Sequence, residues 1–251
     1  MGVNERLTDR ERVELTKKSY EHLQLGDNIT IGPYDIGTVC RVEHAKDGMS
    51  AFVISSPSEI TILFKGSYGI KKGTPQTWRD EWFKTNIPIL RAMLSQERRI
   101  PSQLKTASTF LNHVINQFRG SRFYIYGHSL GSINAQFALA NCTHPEAIAA
   151  AYLYEGTNIW LLLTPKERRR VAQMRERVFN YVDIYDPVTL GITETHHMVG
   201  KLCYVDSEPM QPIKQHLWGG YQFNPDGSLK LRKIDQAFLA ESRSEHKLLS
   251  R

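Results

Sequence analysis

Long apolar runs are missing from this 251-residue chain. No stretch approaches the ~20 residues that cross a bilayer as a helix, so no membrane-spanning helix is expected. Cysteine is scarce: Cys40, Cys142 and Cys203 lie far apart, are odd in number and form no CxxC pair. That excludes a disulfide framework and a zinc-finger spacing, and such thiols are expected to pack as small apolar side chains. Met1 to Lys18 is polar and charged with no apolar h-region. A classical secretory signal is therefore absent, and the chain reads as cytoplasmic, with export by a specialised secretion system that needs no cleavable signal as the alternative. Gly2 is present, but Arg6 stands where myristoylation expects Ser or Thr. Repeats, low-complexity tracts and Gly/Ser linkers are lacking too, so residues 1–251 read as one domain. The tail 230–251 reads as a charged helix or the start of a longer segment. No helix-turn-helix, aromatic RNP motif or zinc finger occurs, and no nucleic-acid partner is expected.

What is present is an ordinary globular composition, 41% hydrophobic and 23% charged, in a chain long enough to bury a sizeable core. The net charge of +6 is mild and spread along the chain, and it suits contact with an anionic surface such as phospholipid headgroups. Nothing in the sequence sets an oligomeric state.

Punctuation and periodicity outline the elements. Thr8-Asp9-Arg10-Glu11 is a capping box that predicts a helix through about Leu25, with Gly26 as its C-cap. Short strands are expected at 28–31, 39–43 and 51–54, and a stronger one at Ile60-Thr61-Ile62-Leu63-Phe64, whose nearly continuous apolar character suits burial on both faces. Residues 101–120 place Leu104, Ala107, Leu111, Val114, Ile115 and Phe118 on one helical face, with Ser102 as N-cap and Gly120 as stop. A strand at 123–126, a helix at 130–141 and a strand at 147–154 follow. Thr164-Pro165-Lys166-Glu167 opens a basic helix to about Arg177, ahead of strands at 178–182 and 201–205. Asn224-Pro225-Asp226-Gly227 predicts the turn of a hairpin between 219–223 and 228–231. Alternating strands and helices in the middle of the chain imply an α/β class, a mainly parallel, doubly wound sheet with helices on both faces.

Within that pattern, Gly127-His128-Ser129-Leu130-Gly131 lies between a strand and a small-residue helix. Gly-x-Ser-x-Gly in this context is the nucleophile elbow of α/β-hydrolases. The glycines leave room for neighbouring backbone, and the tight turn lifts the Ser129 hydroxyl above the sheet. It also aims the first free N–H groups of the helix at the place where an oxyanion would form. A serine needs a base to accept its proton and a carboxylate to hold that base, in the chain order Ser, Asp or Glu, His. For the acid, Asp183 and Asp186 both follow the apolar run 178–182; Asp186, in a Tyr-Asp-Pro-Val turn off the strand end, is favoured over Asp183. For the base, His196, His197 and His216 lie downstream, and His216, after a strand and a Pro-containing loop, is favoured. His128 is too close in sequence to face its neighbour's hydroxyl. His196-His197 after Glu194 lacks the spacing of a metal site, so no metal is expected. Oxyanion donors are expected from the Leu130 N–H and from Lys65-Gly66-Ser67, which ends an early central strand.

Phe64-Lys65-Gly66-Ser67, then Gly-His-Ser-Leu-Gly, then Asp186-Pro187-Val188 resemble the lipase class 3 family. The resemblance is closest to its bacterial lipase-like branch, through Ser19-Tyr20, Ala51-Phe52-Val53, Trp78–Trp82, Asn180-Tyr181-Val182 and the stretch from His216 to Asp226-Gly227. Lys65 departs from the usual Arg, and Ser132 stands where a third glycine is common. The resemblance implies an α/β-hydrolase fold, Ser129, Asp186 and His216 as the triad, and Ser67 and Leu130 as oxyanion donors. It implies a serine ester hydrolase of lipid acyl esters, of lipase or phospholipase A type, working through an acyl-enzyme without metal or organic cofactor. An esterase or acyltransferase on small soluble esters, and a catalytically silent hydrolase fold used for binding, are the alternatives. The family is also similar in carrying a mobile lid, for which Trp78–Leu94 and Ile159–Leu163 are the apolar candidates. Arg168, Arg169, Arg170, Arg175 and Arg177 follow the second of these, where they would suit an anionic lipid interface; a buried strand end and a solvated helix face is the plainer account.

Overall fold

The computed structural model describes residues 2–66, 100–189 and 197–233, together with 235, 236, 238 and 240. Among them, eight strands form one sheet in sequential order. Strands β1 (Asn28–Ile31), β2 (Tyr34–His44), β3 (Ser50–Ser55) and β4 (Glu59–Phe64) run as an antiparallel meander. Strands β5 (Arg122–His128), β6 (Ile148–Tyr154), β7 (Val178–Val182) and β8 (Lys201–Tyr204) continue from β4 in parallel.

Parallel strands need crossovers, and helices α3 (Ser102–Gln117), α4 (Leu130–Ala140) and α5 (Pro165–Gln173) lie in those connections. Since the strand order never reverses, right-handed crossovers carry all three to one face. There Leu104, Leu111 and Val114 of α3, Ile133 and Leu139 of α4 and Val171 of α5 share one aliphatic core with Ile62, Ile125 and Leu153. The opposite face is covered by the two ends of the chain. Leu7, from the link between α1 (Val3–Arg6) and α2 (Asp9–Lys17), and Val13 and Leu15 of α2 pack with Trp218, Tyr221 and Leu229 over Phe52, Tyr124, Tyr126, Tyr152 and Tyr154. Alternation along β5 makes the division: Phe123 and Ile125 enter the aliphatic core, Tyr124 and Tyr126 the aromatic one.

Register aligns the strand ends. Phe64 pairs with Gly127, His128 with Tyr154, and Tyr154 with Tyr181. The segments after β4, β5, β6 and β7 therefore emerge at one edge of the sheet, the edge at which open α/β sheets carry ligands.

Several sequence expectations are corrected. The first helix ends at Lys17 with one tighter turn, Lys18–Tyr20, instead of reaching Leu25. Glu21 is extended because Tyr20 turns inward to a buried partner, while Leu25 is left exposed. Pro101, not Ser102, is the N-cap of α3, and no side chain caps it. Helix α5 stops at Gln173, and Arg175–Arg177 form a separate short turn that leads into β7. The expected hairpin shrinks to a single bridge, Phe223 to Leu229. Its turn forms as read, with the Gly227 N–H donating to Asn224. Its second arm bridges away to Val205, and Tyr221 is drawn inward, so no ladder develops. Ser67, His196, Trp78–Leu94 and residues 241–251 lie outside the described residues.

Candidate active site

The turn between β5 and α4 is backbone-driven. Ser129 has φ 57 and ψ −126, a region that non-glycine residues enter only when the surrounding structure forces them. Two glycines make the turn possible. A Cβ on Gly127 would lie 2.6 Å from the Gly131 carbonyl oxygen, and one on Gly131 would lie 2.2 Å from that of Phe64. Gly-x-Ser-x-Gly therefore records close packing of β4, the turn and α4 against one another. The Leu130 N–H opens α4 and is among the four that have no acceptor within the helix.

His216 reaches this turn from the other side of the site. Its Nε2 lies 2.8 Å from Ser129 Oγ, and its Nδ1 lies 2.6 Å from Asp186 Oδ2. Asp186 Oδ1 accepts the Val188 N–H at 2.9 Å, which fixes the carboxylate plane. Ser129, His216 and Asp186 are 4%, 1% and 0% exposed, so the hydrogen-bonded line is shielded from water and its electrostatics are strong. Three residues distant in sequence, each chosen from its local context, meet here.

His216 lies in a wide helical turn, Gln215–Gly219, that follows the short helix α6 (Pro212–Lys214). Trp218 within it adopts φ 61. That conformation lays its indole against the His128 ring, with centroids 3.8 Å apart and the rings tilted by 30°. His128 does not face Ser129 Oγ; both its ring nitrogens are engaged elsewhere, and it supports His216. Its Nε2 lies 2.8 Å from the His216 carbonyl oxygen, so Nε2–H donates there, and Nδ1 accepts the Tyr20 hydroxyl at 2.6 Å. Burial, with His216 alongside, drives the His128 pKa well below 6.5, so the ring is neutral with its proton on Nε2. Burial raises the Tyr20 phenol likewise. Gly66 closes over this group: a Cβ there would lie 2.0 Å from Tyr20 Oη.

Asp183, the acid not favoured by the sequence, takes a different place. Its Oδ2 accepts Gln215 Nε2–H at 2.5 Å and its Oδ1 accepts the Tyr185 N–H at 3.0 Å. Burial pushes its pKa up to about 6. Glu155, which sequence reasoning missed, is fully buried at the end of β6 with φ 49. It accepts the Asp183 N–H at 3.0 Å and the Tyr221 hydroxyl. The signal that could have found it is a charged residue following the apolar run that ends at Tyr154, at the sheet edge where Ser129 lies.

His197 sits elsewhere: its ring stacks on Trp160, and its carbonyl accepts Asn158 Nδ2–H. Of the apolar run after β6, Ile159, Leu162 and Leu163 are buried in the aliphatic core, while Leu161 is 64% exposed. Arg170 and Arg177 donate to the Ala140 and Ile148 carbonyls, and Arg168 donates to the Trp160 carbonyl while lying over its ring. Lys65, the departure from Arg, is buried with its ammonium 5.8 Å from the centre of the Phe52 ring. Among the described residues no helix is long and apolar enough to cross a membrane.

No family model matches the sequence, and no curated protein does. Solved structures do match. A mutant form of MDLA from Penicillium cyclopium superposes with a TM-score of 0.51 at 16% identity, over 91% of this chain and 86% of that one. A triacylglycerol lipase from Penicillium expansum superposes with a TM-score of 0.50 at 13% identity, over 89% of this chain and 81% of that one. Such likeness speaks to fold, and with the sheet order described above the chain has the α/β-hydrolase fold.

Proposed function

We propose that the protein is a serine ester hydrolase that cleaves acyl esters of lipids, of lipase or phospholipase A type. The observation that carries this reading is the buried line from Ser129 through His216 to Asp186, set on a strained turn at the carboxyl edge of the parallel strands. The fold shared with a triacylglycerol lipase and the resemblance to class 3 motifs, with its bacterial branch as the finer assignment, support a lipid as the ester.

In this mechanism His216 Nε2 takes the Ser129 proton as Oγ attacks the acyl carbonyl. The resulting imidazolium is held by Asp186 through Nδ1–H. The Leu130 N–H stabilises the oxyanion, with Ser67 as the second donor by the class 3 resemblance. His216 then protonates the leaving alcohol, which departs and leaves an acyl group on Ser129. Water, deprotonated by His216, attacks that ester; collapse releases the fatty acid and returns the proton to Ser129. No step calls on a metal or organic cofactor. The exposed Leu161, followed in sequence by the exposed Lys166 and Arg169, is where peripheral contact with an anionic membrane would occur. Action in the cytoplasm belongs to this proposal, with signal-independent export as its alternative.

The test is intact mass after reaction with a fluorophosphonate, on the native chain and on Ser129→Ala, His216→Ala and His197→Ala. A single adduct is expected on the native chain, lost with the first two substitutions and kept with the third. Loss with His197→Ala would move the base to the earlier loop. No adduct, even with detergent micelles present, would leave a silent scaffold.

A further inference from the structure

Three buried carboxyl groups stand behind His216: Asp186, Asp183 and Glu155. The mechanism uses only the first. The imidazolium formed during acylation carries one positive charge, which one carboxylate balances. Further negative charges buried at the same place would be costly without a cation.

Glu155 bridges two segments that must stay in register. Its Oε2 accepts the N–H of Asp183, which starts the acid loop after β7, at 3.0 Å. Its Oε1 is hydrogen bonded to Tyr221, which follows the His216 turn. Asp183 in turn accepts from Gln215, the residue before His216, at 2.5 Å. Gln215 Oε1 accepts the Met210 N–H at 2.8 Å, which ties down the approach to α6. Glu155, Asp183, Gln215 and Tyr221 thus join the end of β6, the acid loop and both flanks of the histidine turn. Holding the left-handed φ of 49 at a glutamate costs energy, which a bridging role explains.

We propose that Glu155 is a positioning residue that clamps the Asp186 loop to the His216 turn in its uncharged form. Its neighbours favour that form. Asp183 and Asp186 face it from the acid loop, Tyr221 from the segment after α6, and Tyr154 adjoins it on β6 with its ring 6.3 Å from that of Tyr221. Burial first, and then the charges of Asp186 and Asp183, hold the Glu155 carboxyl well above its usual 4.5. The Tyr221 hydroxyl serves either form, as donor to a carboxylate or as acceptor from the acid O–H. A neutral Glu155 keeps a third negative charge from joining those of Asp186 and Asp183 behind the imidazolium.

The functional half of this inference rests on the ester-hydrolase reading; the structural half does not, and the experiment separates them. Thermal unfolding of the native full chain and of Glu155→Gln is followed across pH, with no turnover needed. An acid whose pKa is raised by folding loses stability as pH rises from its unfolded value toward its folded one. The Gln variant, which keeps both hydrogen bonds and cannot ionise, is therefore expected to gain in Tm relative to native as pH climbs above 4.5. A gap that stays flat would mean that folding does not favour the uncharged form, and one that moves against Gln as pH rises would mean that an ionised Glu155 is required; either would overturn the proposal. Should Gln fail to fold, carboxyl 13C spectra of the native chain, labelled at glutamate Cδ, decide. One protonated glutamate resonance at neutral pH supports the proposal, and a fully ionised set refutes it. Where ester hydrolysis is measurable, Glu155→Ala is expected to lower kcat about tenfold or more through misplacement of His216, with KM little changed and Gln restoring most of the loss. An Ala variant with native kcat would remove the positioning role. Absence of hydrolysis in the native chain would sink the ester-hydrolase reading, while the unfolding curves would still decide the state of Glu155.

Discussion

The two faces of the sheet are built from different chemistry. The face under α3, α4 and α5 is apolar and mainly aliphatic, filled chiefly by Leu, Ile, Val and Ala side chains with a few Phe and Met among them. The other, closed by the two ends of the chain, is aromatic and polar; it contains Tyr20, Tyr126, Tyr152, Tyr154, Tyr181, Trp218 and Tyr221, with His128 packed among them. Ser129 stands where the two meet, and among the described residues the His216 turn is backed from the aromatic side. Non-directional packing suffices to keep a sheet together. Holding an imidazole within hydrogen-bond reach of both a hydroxyl and a carboxylate needs directional partners, and Tyr20, His128 and Trp218 are those partners.

The contrast can be broken from either side. The largest effect is expected where the faces meet: Asp186→Asn should lower kcat roughly ten-thousandfold by removing the charge that fixes the His216 tautomer, with little change in Tm. An ester assay with a parallel melting curve checks it. On the aliphatic face, Ile125→Ala should cost about 2–5 kcal/mol of stability by leaving a cavity, with kcat per folded molecule unchanged. Denaturant unfolding alongside active-site titration reads both. On the aromatic face, Tyr20→Phe leaves His128 Nδ1 buried and unpaired, so stability should fall by about 1–3 kcal/mol, and here kcat should fall as well.

A pH experiment sharpens the same distinction. His128 is neutral when folded, with its pKa well below the 6.5 of an unfolded histidine. The unfolded chain therefore takes up a proton first as pH falls. The stability that His128 contributes is present above about 6.5 and is lost progressively below it. His128→Gln, which keeps a donor for the His216 carbonyl, should show a shallower loss of Tm between neutral and mildly acidic pH. Equal slopes would mean that His128 titrates normally. The smallest effect is expected outside both faces: Leu161→Ser should change stability by no more than about 0.5 kcal/mol, since its side chain is exposed. If it lowers binding to anionic vesicles without altering Tm, the lipid contact proposed for that loop gains support.

Much of this organisation was legible from residues alone where the signal is local. The Thr8 and Thr164 capping boxes and the two elbow glycines act within a few residues and formed where they were read, and the apolar face read over 101–120 formed over 102–117. Ser129, Asp186 and His216 could be named because a strained turn, a strand-end turn and a late loop histidine leave marks in sequence, and those residues do come together. Where the expectations failed, a distant partner had the deciding influence. The first helix stopped early because Tyr20 is bonded to a residue more than a hundred positions away. The late hairpin stayed short because Tyr221 turns to Glu155 and the second arm to Val205.

By itself the sequence determined the class of the fold, the elbow and the identity of three aligned side chains, since turn chemistry, capping and periodicity act over short spans of chain. Tertiary structure alone decided that His128 supports His216, that Asp183 serves Gln215 and not the imidazole, and that Glu155 joins the two loops. Those roles depend on burial and hydrogen bonds between segments that meet only once the sheet has aligned their ends, and no local pattern encodes such a meeting.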